Sequence, residues 1–406
     1  MESYIEKGTK KYWRAVCAMF SGSIAVFGGE YCLQPILPSL SRTFNITPIE
    51  TSLAMSFGTV GMAITMIVIA VVSQKLPRKK SMAGALIASA ILVIAMSMTN
   101  NFWLLLLFRF VQGCFLAFFP TLIISYINDE FSKGIIGLVV GIYISGTAIG
   151  GLVGRIGTSF LTDWLSWRSG VGIMGFCYLL LGFIFYIGLP TETTKLSGSK
   201  INKKIFINFK NSLTNKKLLA VNFVAFAILG AFVAVFNYIT YDLIAPPYNL
   251  SQSLVSCLFV LYLLGSISST AMGALADKIG NYKAVILSLI IMICGSFITT
   301  GMYLWVKIFG LGIFTIGFFA SHATACGWIG KIVSGDKAKA VAMYMLFYYL
   351  GATVVGTCAG YFFSHNGWQG VITFTDIILI MAMVFVALVF HTDVSKTMNL
   401  KSFTTK

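Results

Sequence analysis

Three charged residues lie inside long apolar stretches of the chain: Glu30, Arg109 and Arg155. A charge in an apolar surrounding is costly, and such residues usually pair with one another or mark a pathway for protons or solutes. If the stretches are helices, each residue lies about 9–10 Å from one end of its stretch. We therefore predict that the three side chains share one layer and that Glu30 pairs with an arginine there.

Two interpretations of this layer follow from its charges. In the first, one arginine is in excess and attracts an anionic group through charge-assisted hydrogen bonds, while Glu30 binds and releases protons. In the second, the charged residues form a structural ion pair that locks their helices together. Burial favours the protonated form of Glu30 and a neighbouring arginine favours the ionised form, so the sequence leaves both interpretations open.

Further polar side chains interrupt the apolar stretches at His322 and in the run 236–242, FNYITYD. Histidine changes its charge near neutral pH and often transfers protons, although a lone histidine is also a common hydrogen-bonded packing residue. We take His322, Asn237, Tyr238 and Tyr241 as candidates for lining a solute pathway. The alternative for the run is that its aromatic residues anchor a helix at a membrane interface.

The composition of the chain excludes a water-soluble globular protein. Of its 406 residues, 57% are hydrophobic and 10% are charged, whereas soluble domains carry about 25% charged residues. The eight cysteines form no C-x-x-C pair, so we expect neither a metal site nor a cofactor. We find neither a phosphate-binding Walker loop nor an H-E-x-x-H motif, and we predict a protein that is not an enzyme.

Twelve apolar runs are long enough, or nearly so, to cross a hydrocarbon core of about 30 Å. Because a backbone in lipid must satisfy its hydrogen bonds internally, we predict twelve transmembrane helices and an all-α membrane protein. The runs are 15–36, 51–73, 83–98, 102–126, 135–161, 170–189, 218–243, 255–276, 284–305, 308–332, 338–363 and 371–390.

Topology explains the net charge of +16 without nucleic acid. An even number of spans places both termini on one side of the membrane. If that side is the cytoplasm, all 29 Lys and Arg lie in inner segments except Arg42, Arg168 and Lys307 in outer loops and Arg109 and Arg155 within helices. This asymmetry satisfies the positive-inside rule. We therefore predict a multi-pass protein of the cell membrane with both termini in the cytoplasm.

The chain repeats itself across its middle. The segment 45–47 returns as 249–251, the segment 70–80 returns as 273–283, and Trp167 returns as Trp368, with nearly the same offset. Three matches in the same order indicate a duplicated unit.

A basic linker separates the two copies, since the segment 190–217 holds seven lysines and one acid. Its residues 205–213 place apolar side chains on one helical face, which is typical of an amphipathic helix at a membrane surface; a disordered basic linker is the alternative. We predict four parts, an N-terminal six-helix bundle over 1–189, the linker over 190–217, a C-terminal six-helix bundle over 218–392 and a cytoplasmic tail over 393–406.

Small residues recur every four positions in three of the predicted helices and form faces on which another helix can approach closely. We predict that these faces form a sliding interface between the two halves, and static close packing is the alternative. The residues are Gly146, Gly150 and Gly154 in the fifth helix, Gly265, Ser269 and Gly273 in the eighth, and Ala352, Gly356 and Gly360 in the eleventh.

Several motifs resemble those of the major facilitator superfamily. The segment 273–280, GALADKIG, resembles the family's GxLaDrxG loop between helices 8 and 9, with Gly273, Asp277, Lys278 and Gly280 at the matching positions. The resemblance implies that this loop belongs to the inner gate.

The corresponding loop after the second helix departs from the pattern, because Gln74 replaces the acid although Lys75 and Arg78 remain. The segment 109–113, RFVQG, matches the RxxQG motif of helix 4, which implicates Arg109 and Gln112 in proton coupling. The segment 146–151, GTAIGG, resembles the GPxxGG antiporter motif of helix 5, with Thr147 in place of proline.

A narrower resemblance is to the YnfM-type branch of drug/proton antiporter-like transporters, and it spans nearly the whole chain. Arg155 and His322 fit the pattern of that branch, whereas Glu30 does not. The matching segments are 31–38, which contains Gln34, 143–146, 150–155, 236–238 and 321–322.

The resemblance implies a fold in which two six-helix bundles, related by a pseudo-two-fold axis, rock about a central site. We expect a proton-coupled secondary transporter that exports a small organic solute, with solute, protons and lipid as partners and a monomer as the working unit. Uptake or facilitated diffusion is one alternative, because gradients set the direction. A membrane sensor or scaffold is an alternative of another class, against which the glycine faces and the motif-bearing loops argue.

Overall fold

The computed structural model describes residues 4–72, 76–193, 215–333 and 337–403. Lys75 and most of the linker, including the predicted amphipathic segment 205–213, lie outside the described residues. The described part is mainly helical, and its β-structure is one isolated backbone bridge between Ile5 and Phe131. The predicted all-helical membrane protein is confirmed, as expected for a backbone that must satisfy its own hydrogen bonds in lipid.

Fourteen α-helices form the described part of the chain, joined in places by short 3₁₀ turns at Gln34–Ile36, Lys133–Ile135 and Cys257–Leu263. The helices are α1 Lys10–Tyr31, α2 Leu37–Phe44, α3 Pro48–Val72, α4 Arg78–Met98, α5 Phe102–Leu116, α6 Phe118–Glu130, α7 Ile136–Trp164, α8 Trp167–Gly188, α9 Lys216–Ile244, α10 Gln252–Ser256, α11 Leu264–Ile279, α12 Asn281–Ile298, α13 Leu304–Ile332 and α14 Lys337–Phe403.

Eleven helical segments of the described residues are long and apolar enough to cross a membrane. The last of them, Ala340–Phe390, has 51 residues, about twice what one span needs. Gly367 breaks it, with φ 59° and ψ −147°, a conformation that is essentially restricted to glycine. The two arms of α14 on either side of Gly367 are the predicted eleventh and twelfth spans, so the count of twelve is confirmed.

Three of the predicted helices are each divided into shorter helices in the structure. The first continues through a 3₁₀ turn at Pro35 into α2, because proline lacks the amide N–H that a continuous helix needs. The fourth divides at Ala117 into α5 and α6. The eighth divides into α10, the 3₁₀ stretch Cys257–Leu263 and α11.

Two asparagines support the duplicated unit. Asn45 and Asn249 have φ values of 52° and 48° and are the non-glycine residues with positive φ in the described part of the chain. Asparagine tolerates this left-handed conformation better than most residues. Two positions after each asparagine a hydroxyl caps the next helix, since Thr47 Oγ1 accepts from Glu50 N at 3.3 Å and Ser251 Oγ accepts from Leu254 N at 3.3 Å.

The chain forms two compact units. The first contains Met1–Asn202 and Thr240–Val260, and the second contains Lys203–Ile239 and Leu261–Lys406. The predicted division into 1–189 and 218–392 therefore differs at the segment 240–260, which belongs to the first unit. The reason is its polar and aromatic contacts with residues of α7 and α2, described below.

Candidate functional site

Arg109 occupies the centre of the first unit with none of its surface exposed. Two glycines of α3 and α5 make room for it. A Cβ atom on Gly58 would lie 2.7 Å from Arg109 Nε, and a Cβ atom on Gly113 would collide with the Gly58 carbonyl. The glycine of the RFVQG segment therefore allows α5 to approach α3 closely enough to enclose the guanidinium.

Hydrogen bonds to backbone carbonyls hold the Arg109 guanidinium from two neighbouring helices. Its Nε donates to the carbonyl of Ala54 at 2.9 Å and its Nη1 to the carbonyl of Gly29 at 3.1 Å, while its Nη2 donates to the carbonyl of Glu30. Nη1 also donates to Gln112 Oε1 at 2.5 Å, and Gln112 Nε2 donates to Gly29 at 3.1 Å. Arg109 thus ties α1, α3 and α5 together.

Glu30 pairs with this arginine, as the layer of charges predicts. Its Oε2 lies 3.4 Å from Arg109 Nη2, and Thr59 Oγ1 lies 3.5 Å from its Oε1. The residue is 5% exposed. We call Glu30, Thr59, Arg109 and Gln112 the Arg109 cluster. It places one carboxylate in an apolar surrounding beside a positive charge, so burial and the ion pair act on proton binding in opposite directions.

Arg155 forms a second centre in the same unit. Its guanidinium carbon lies 3.9 Å from the ring centre of Tyr31 and 4.6 Å from that of Phe259, at cation–π distance from both rings. Its Nε donates to Gln34 Oε1 at 2.7 Å, and Nη1 donates to the Gly151 carbonyl at 3.0 Å. The structure therefore brings together Arg155 and Gln34, which belong to two different segments of the YnfM-like pattern.

His322 lies in the second unit among aromatic side chains. Its Nδ1 is 2.9 Å from the hydroxyl of Tyr344, and its ring stacks on that of Tyr348 with 4.5 Å between ring centres. The neighbouring Ser321 hydroxyl is fully buried and has no hydrogen-bond partner in the described part of the protein. The histidine is half-buried.

The polar run on α9 is divided between the units. Asn237 and Tyr238 are buried in the second unit, where the Tyr238 ring stacks on Phe363 with 5.4 Å between ring centres. Tyr241 belongs to the first unit and packs against its apolar core. The three residues share helix α9.

Comparisons with known sequences and with solved structures both find matches over nearly the whole length of the chain. The sequence profile of the Major Facilitator Superfamily matches residues 19–320 and 218–405. The MFS-type transporter YybF of Bacillus subtilis is 34% identical over 381 residues, covering 94% of both chains. The inner membrane transport protein YnfM of Escherichia coli is 32% identical over 380 residues, covering 94% of this chain and 91% of that one.

The chain belongs to the major facilitator superfamily. Its fold agrees, since a bacterial homologue of the lysosomal transporter Spinster, solved in an inward-facing and unoccupied conformation, superposes with a TM-score of 0.77 at 15% identity. That match covers 94% of this chain and 97% of the other. The protein is therefore a membrane transporter with the major facilitator fold and not an enzyme.

The basic loop after the second span forms an ion pair with an acid that sequence reasoning missed. Arg78 Nη1 lies 2.6 Å from Asp129 Oδ2 at the end of α6. In the second copy Lys331 Nζ lies 3.3 Å from Asp277 Oδ1. Gly280 ends α11 with φ 89°, a backbone conformation that explains the glycine of the motif. Lys75, the remaining predicted member of the first loop, lies outside the described residues.

The other two predicted residues of the second loop have simple places in the structure. Lys278 lies in the last turn of α11, where a positive charge is favourable near the helix carboxyl end. A Cβ atom on Gly273 would meet nothing within 4 Å, so close helix packing does not explain this glycine.

The glycine face of α7 packs against α1 of the same unit. The prediction was that this face would contact the other half of the chain. Cβ atoms on Gly146 and Gly150 would lie 2.9 Å from Ser23 Cβ and 2.7 Å from Ile24 Cα, and one on Gly154 would strike the Gly28 backbone. The physical reason is the close approach of two helix backbones. We correct the prediction for these three glycines to close packing within one unit.

The small residues of the second copy also face helices of their own unit. A Cβ on Gly356 would lie 3.1 Å from Val233 of α9, and one on Gly265 would enter the Phe319 ring of α13. The Ser269 hydroxyl donates to the Gly265 carbonyl at 2.6 Å, and the Gly360 carbonyl accepts from the Ser364 hydroxyl at 2.9 Å. Both hydrogen bonds lie within a single helix.

Asp376 is a further carboxyl, half-buried, that sequence reasoning missed. Its Oδ1 lies 2.5 Å from Ser296 Oγ on α12. It lies inside the predicted span 371–390, so the argument that selects Glu30 also selects Asp376. Among the described residues no group of three or more His, Cys, Asp or Glu side chains could hold a metal ion.

Proposed function

We propose that the protein couples the movement of protons to the export of a small organic solute and works by alternating access. The single observation that supports this most is the buried Glu30 carboxylate beside Arg109, with 3.4 Å between Oε2 and Nη2. An ionisable pair inside a membrane is costly and marks proton relays more often than simple packing. A structural ion pair is the competing explanation.

The hydrogen bonds of Arg109 make proton binding at Glu30 feasible. When Glu30 takes up a proton, the ion pair is lost and Arg109 is left with a buried charge. The carbonyls of Ala54, Gly29 and Glu30 continue to accept from it, so the guanidinium keeps most of its partners. The proton can then leave Glu30 toward the other side of the membrane after the bundles have moved, which transports one positive charge per cycle.

The movement of solute is coupled to the movement of protons if solute and proton compete for binding at the Arg109 cluster. A solute that binds better when Glu30 is ionised lowers the proton affinity of Glu30, and by reciprocity the proton lowers the solute affinity. Antiport results from this competition. We place Arg155, Gln34, His322, Asn237, Tyr238 and Tyr241 along the solute pathway.

The cellular setting is also part of the proposal. YnfM, which is similar over most of the chain, is an inner membrane transport protein, and the distribution of Lys and Arg favours cytoplasmic termini. We therefore place the protein in the plasma membrane with both ends inside, with the N-terminal and C-terminal bundles 1–189 and 218–392 as the moving parts. The duplicated chain supplies both bundles, so a monomer suffices.

The test compares metabolite and drug accumulation in cells with and without the protein, at two external pH values and with an uncoupler. Export coupled to protons predicts lower accumulation of some solutes, an effect that the uncoupler abolishes. The variant Glu30→Gln should lose the pH dependence, whereas Glu6→Gln, the same change at an exposed acid, should keep it. Accumulation that depends on the protein but ignores pH and uncoupler would contradict proton coupling.

A further inference from the structure

The membrane segment Gln252–Ile279 contains an unusual break. Between α10 and α11 the residues Cys257–Leu263 form seven residues of 3₁₀-helix. Runs of this tighter helix longer than 3–4 residues are uncommon, and within a helix they often mark a hinge. The break therefore separates a short amino-terminal arm from the main part of the span.

The boundary between the two compact units falls inside the same stretch. The segment Thr240–Val260 belongs to the first unit, and Leu261 begins the second part of the other unit. We call residues 252–260 the α10 arm. The arm is attached to the first unit although the repeat assigns it to the second half of the sequence, and the chain changes its packing partners within the 3₁₀ stretch.

Polar contacts hold the α10 arm at the end of α7. The Asp163 carboxylate accepts two hydrogen bonds at Oδ2 from Ser253, one from its backbone N–H at 2.8 Å and one from its hydroxyl at 2.5 Å. Gln252 Nε2 donates to the hydroxyl of Ser39 at 2.7 Å. Farther along the arm, the Phe259 ring lies 4.6 Å from the Arg155 guanidinium carbon.

The chemistry of these contacts suits a joint that opens. Asp163 is exposed, and an exposed hydrogen bond can be exchanged for one with water at little cost in free energy. The inner side of the arm is apolar and well covered, with Val255 2% and Phe259 1% exposed. The polar contacts therefore fix the position of the arm, whereas its apolar side seals the surface beneath it.

We propose that Asp163 is a positioning residue that holds the α10 arm closed over the first unit, and that the arm moves about residues 261–263, the end of the 3₁₀ stretch, once in every transport cycle. The inference rests on the proposed function as a transporter. It assigns the opening and closing of the pathway to Asp163, Ser253 and the 3₁₀ stretch, whereas the Arg109 cluster binds the proton. In the orientation proposed above, the arm closes the outer side of the pathway.

A cross-link tests the movement directly. In the double variant Asp163→Cys with Ser253→Cys, mild oxidation joins the arm to α7, and reduction frees it. We expect transport by the oxidised protein to fall at least about tenfold and to return on reduction, because a state that cannot open is removed from the cycle. The unsubstituted protein, whose eight cysteines are all free, should be unaffected by the same treatment. A fully cross-linked protein that transports at the rate of its reduced form would overturn the proposal while leaving the transporter function intact.

A labelling experiment covers the case in which the double variant does not transport even when reduced. Ser256 lies on the arm with none of its surface exposed, so Ser256→Cys should react slowly with a membrane-impermeant maleimide. Adding Asp163→Ala should speed labelling by roughly tenfold, because the two hydrogen bonds to Ser253 are lost. Adding Asp163→Asn, which keeps an acceptor, should speed it less. Equal labelling with and without Asp163→Ala would overturn the proposal, and neither result depends on a transported solute.

Discussion

Arg78 and Asp129 form an ion pair that links the loop after the second span to the end of the fourth span, with 2.6 Å between Arg78 Nη1 and Asp129 Oδ2. In the second copy Lys331 lies at the position equivalent to Asp129, since the two are related by nearly the same offset as the other repeated segments. Its Nζ lies 3.3 Å from Asp277 Oδ1 and donates to Asn281 Oδ1 at 3.0 Å, and Asn281 is the equivalent of Arg78. The duplicated unit has therefore kept the link between the loop and the end of the fourth span, although the charge at the end of that span is reversed.

Removing the carboxylate at Asp129 should weaken this link. Because the Arg78 side chain is 16% exposed and that of Asp129 39%, we expect Asp129→Asn to lower the free energy of unfolding by about 0.5–1 kcal/mol, the upper part of the range for surface ion pairs. Thermal unfolding in detergent measures the change. The exchanged pair Arg78→Asp with Asp129→Arg should recover most of the loss, and an exchanged pair no better than either single variant would contradict the interpretation.

Gly58 should be intolerant of any side chain. A Cβ there would lie 2.7 Å from Arg109 Nε, so Gly58→Ala must displace the guanidinium or separate α3 from α5. We expect a loss of stability of about 1–3 kcal/mol, typical of overpacking, with a loss of transport. Gly84→Ala on α4 is the matched control, since its Cβ would meet nothing within 4 Å, and it should be neutral or slightly stabilising. Similar unfolding temperatures for the two variants would argue against the packing described.

The order of effects within the Arg109 cluster should be asymmetric. Arg109→Ala leaves Glu30 as an unpaired buried carboxylate and should cost about 3–5 kcal/mol of stability. Glu30→Gln should cost less, because Arg109 keeps its three backbone acceptors. Thermal unfolding of both single variants and of the double variant gives the coupling free energy. The double variant should be more stable than Arg109→Ala alone, and additive losses would show that the pair is not coupled.

The two left-handed asparagines should behave alike. Asn45→Ala and Asn249→Ala force a residue with a Cβ into positive φ, which costs about 1–2 kcal/mol. Asn45→Gly and Asn249→Gly should cost much less, since glycine adopts this conformation freely. Unfolding temperatures of the four variants measure the difference. A large alanine penalty at one position and none at the other would argue against equivalent turns in the two repeats.

Much of the fold could be predicted because a chain that crosses lipid can adopt few backbone structures. A backbone without water forms helices, and apolar runs of sufficient length place them, so the twelve spans follow from the sequence. A pair between Glu30 and an arginine also follows, since the rise of a helix puts Glu30 at the depth of Arg109 and Arg155, but the sequence does not say which arginine is the partner. What could not be predicted is the set of carbonyls around Arg109, because they depend on how closely Gly58 and Gly113 allow α3 and α5 to approach.

Partners distant in sequence were harder to find. Asp129 lies 51 positions from Arg78 by residue number, and no local pattern links them. The glycine face of α7 shows that some helix comes close, but a face of small residues does not say which one, and the structure shows α1. The α10 arm was missed because the run 255–276 holds no charged residue and gives no sign of a change from α- to 3₁₀-helix.

The central claim is that Glu30, held by Arg109, carries the proton that is exchanged for solute. Purified protein in vesicles with an internal pH dye tests it, once an exported solute has been found. On imposing a solute gradient, the protein should move protons opposite to the solute, and the variant Glu30→Gln should exchange solute without moving protons. Proton movement by Glu30→Gln equal to that of the unsubstituted protein would contradict the account.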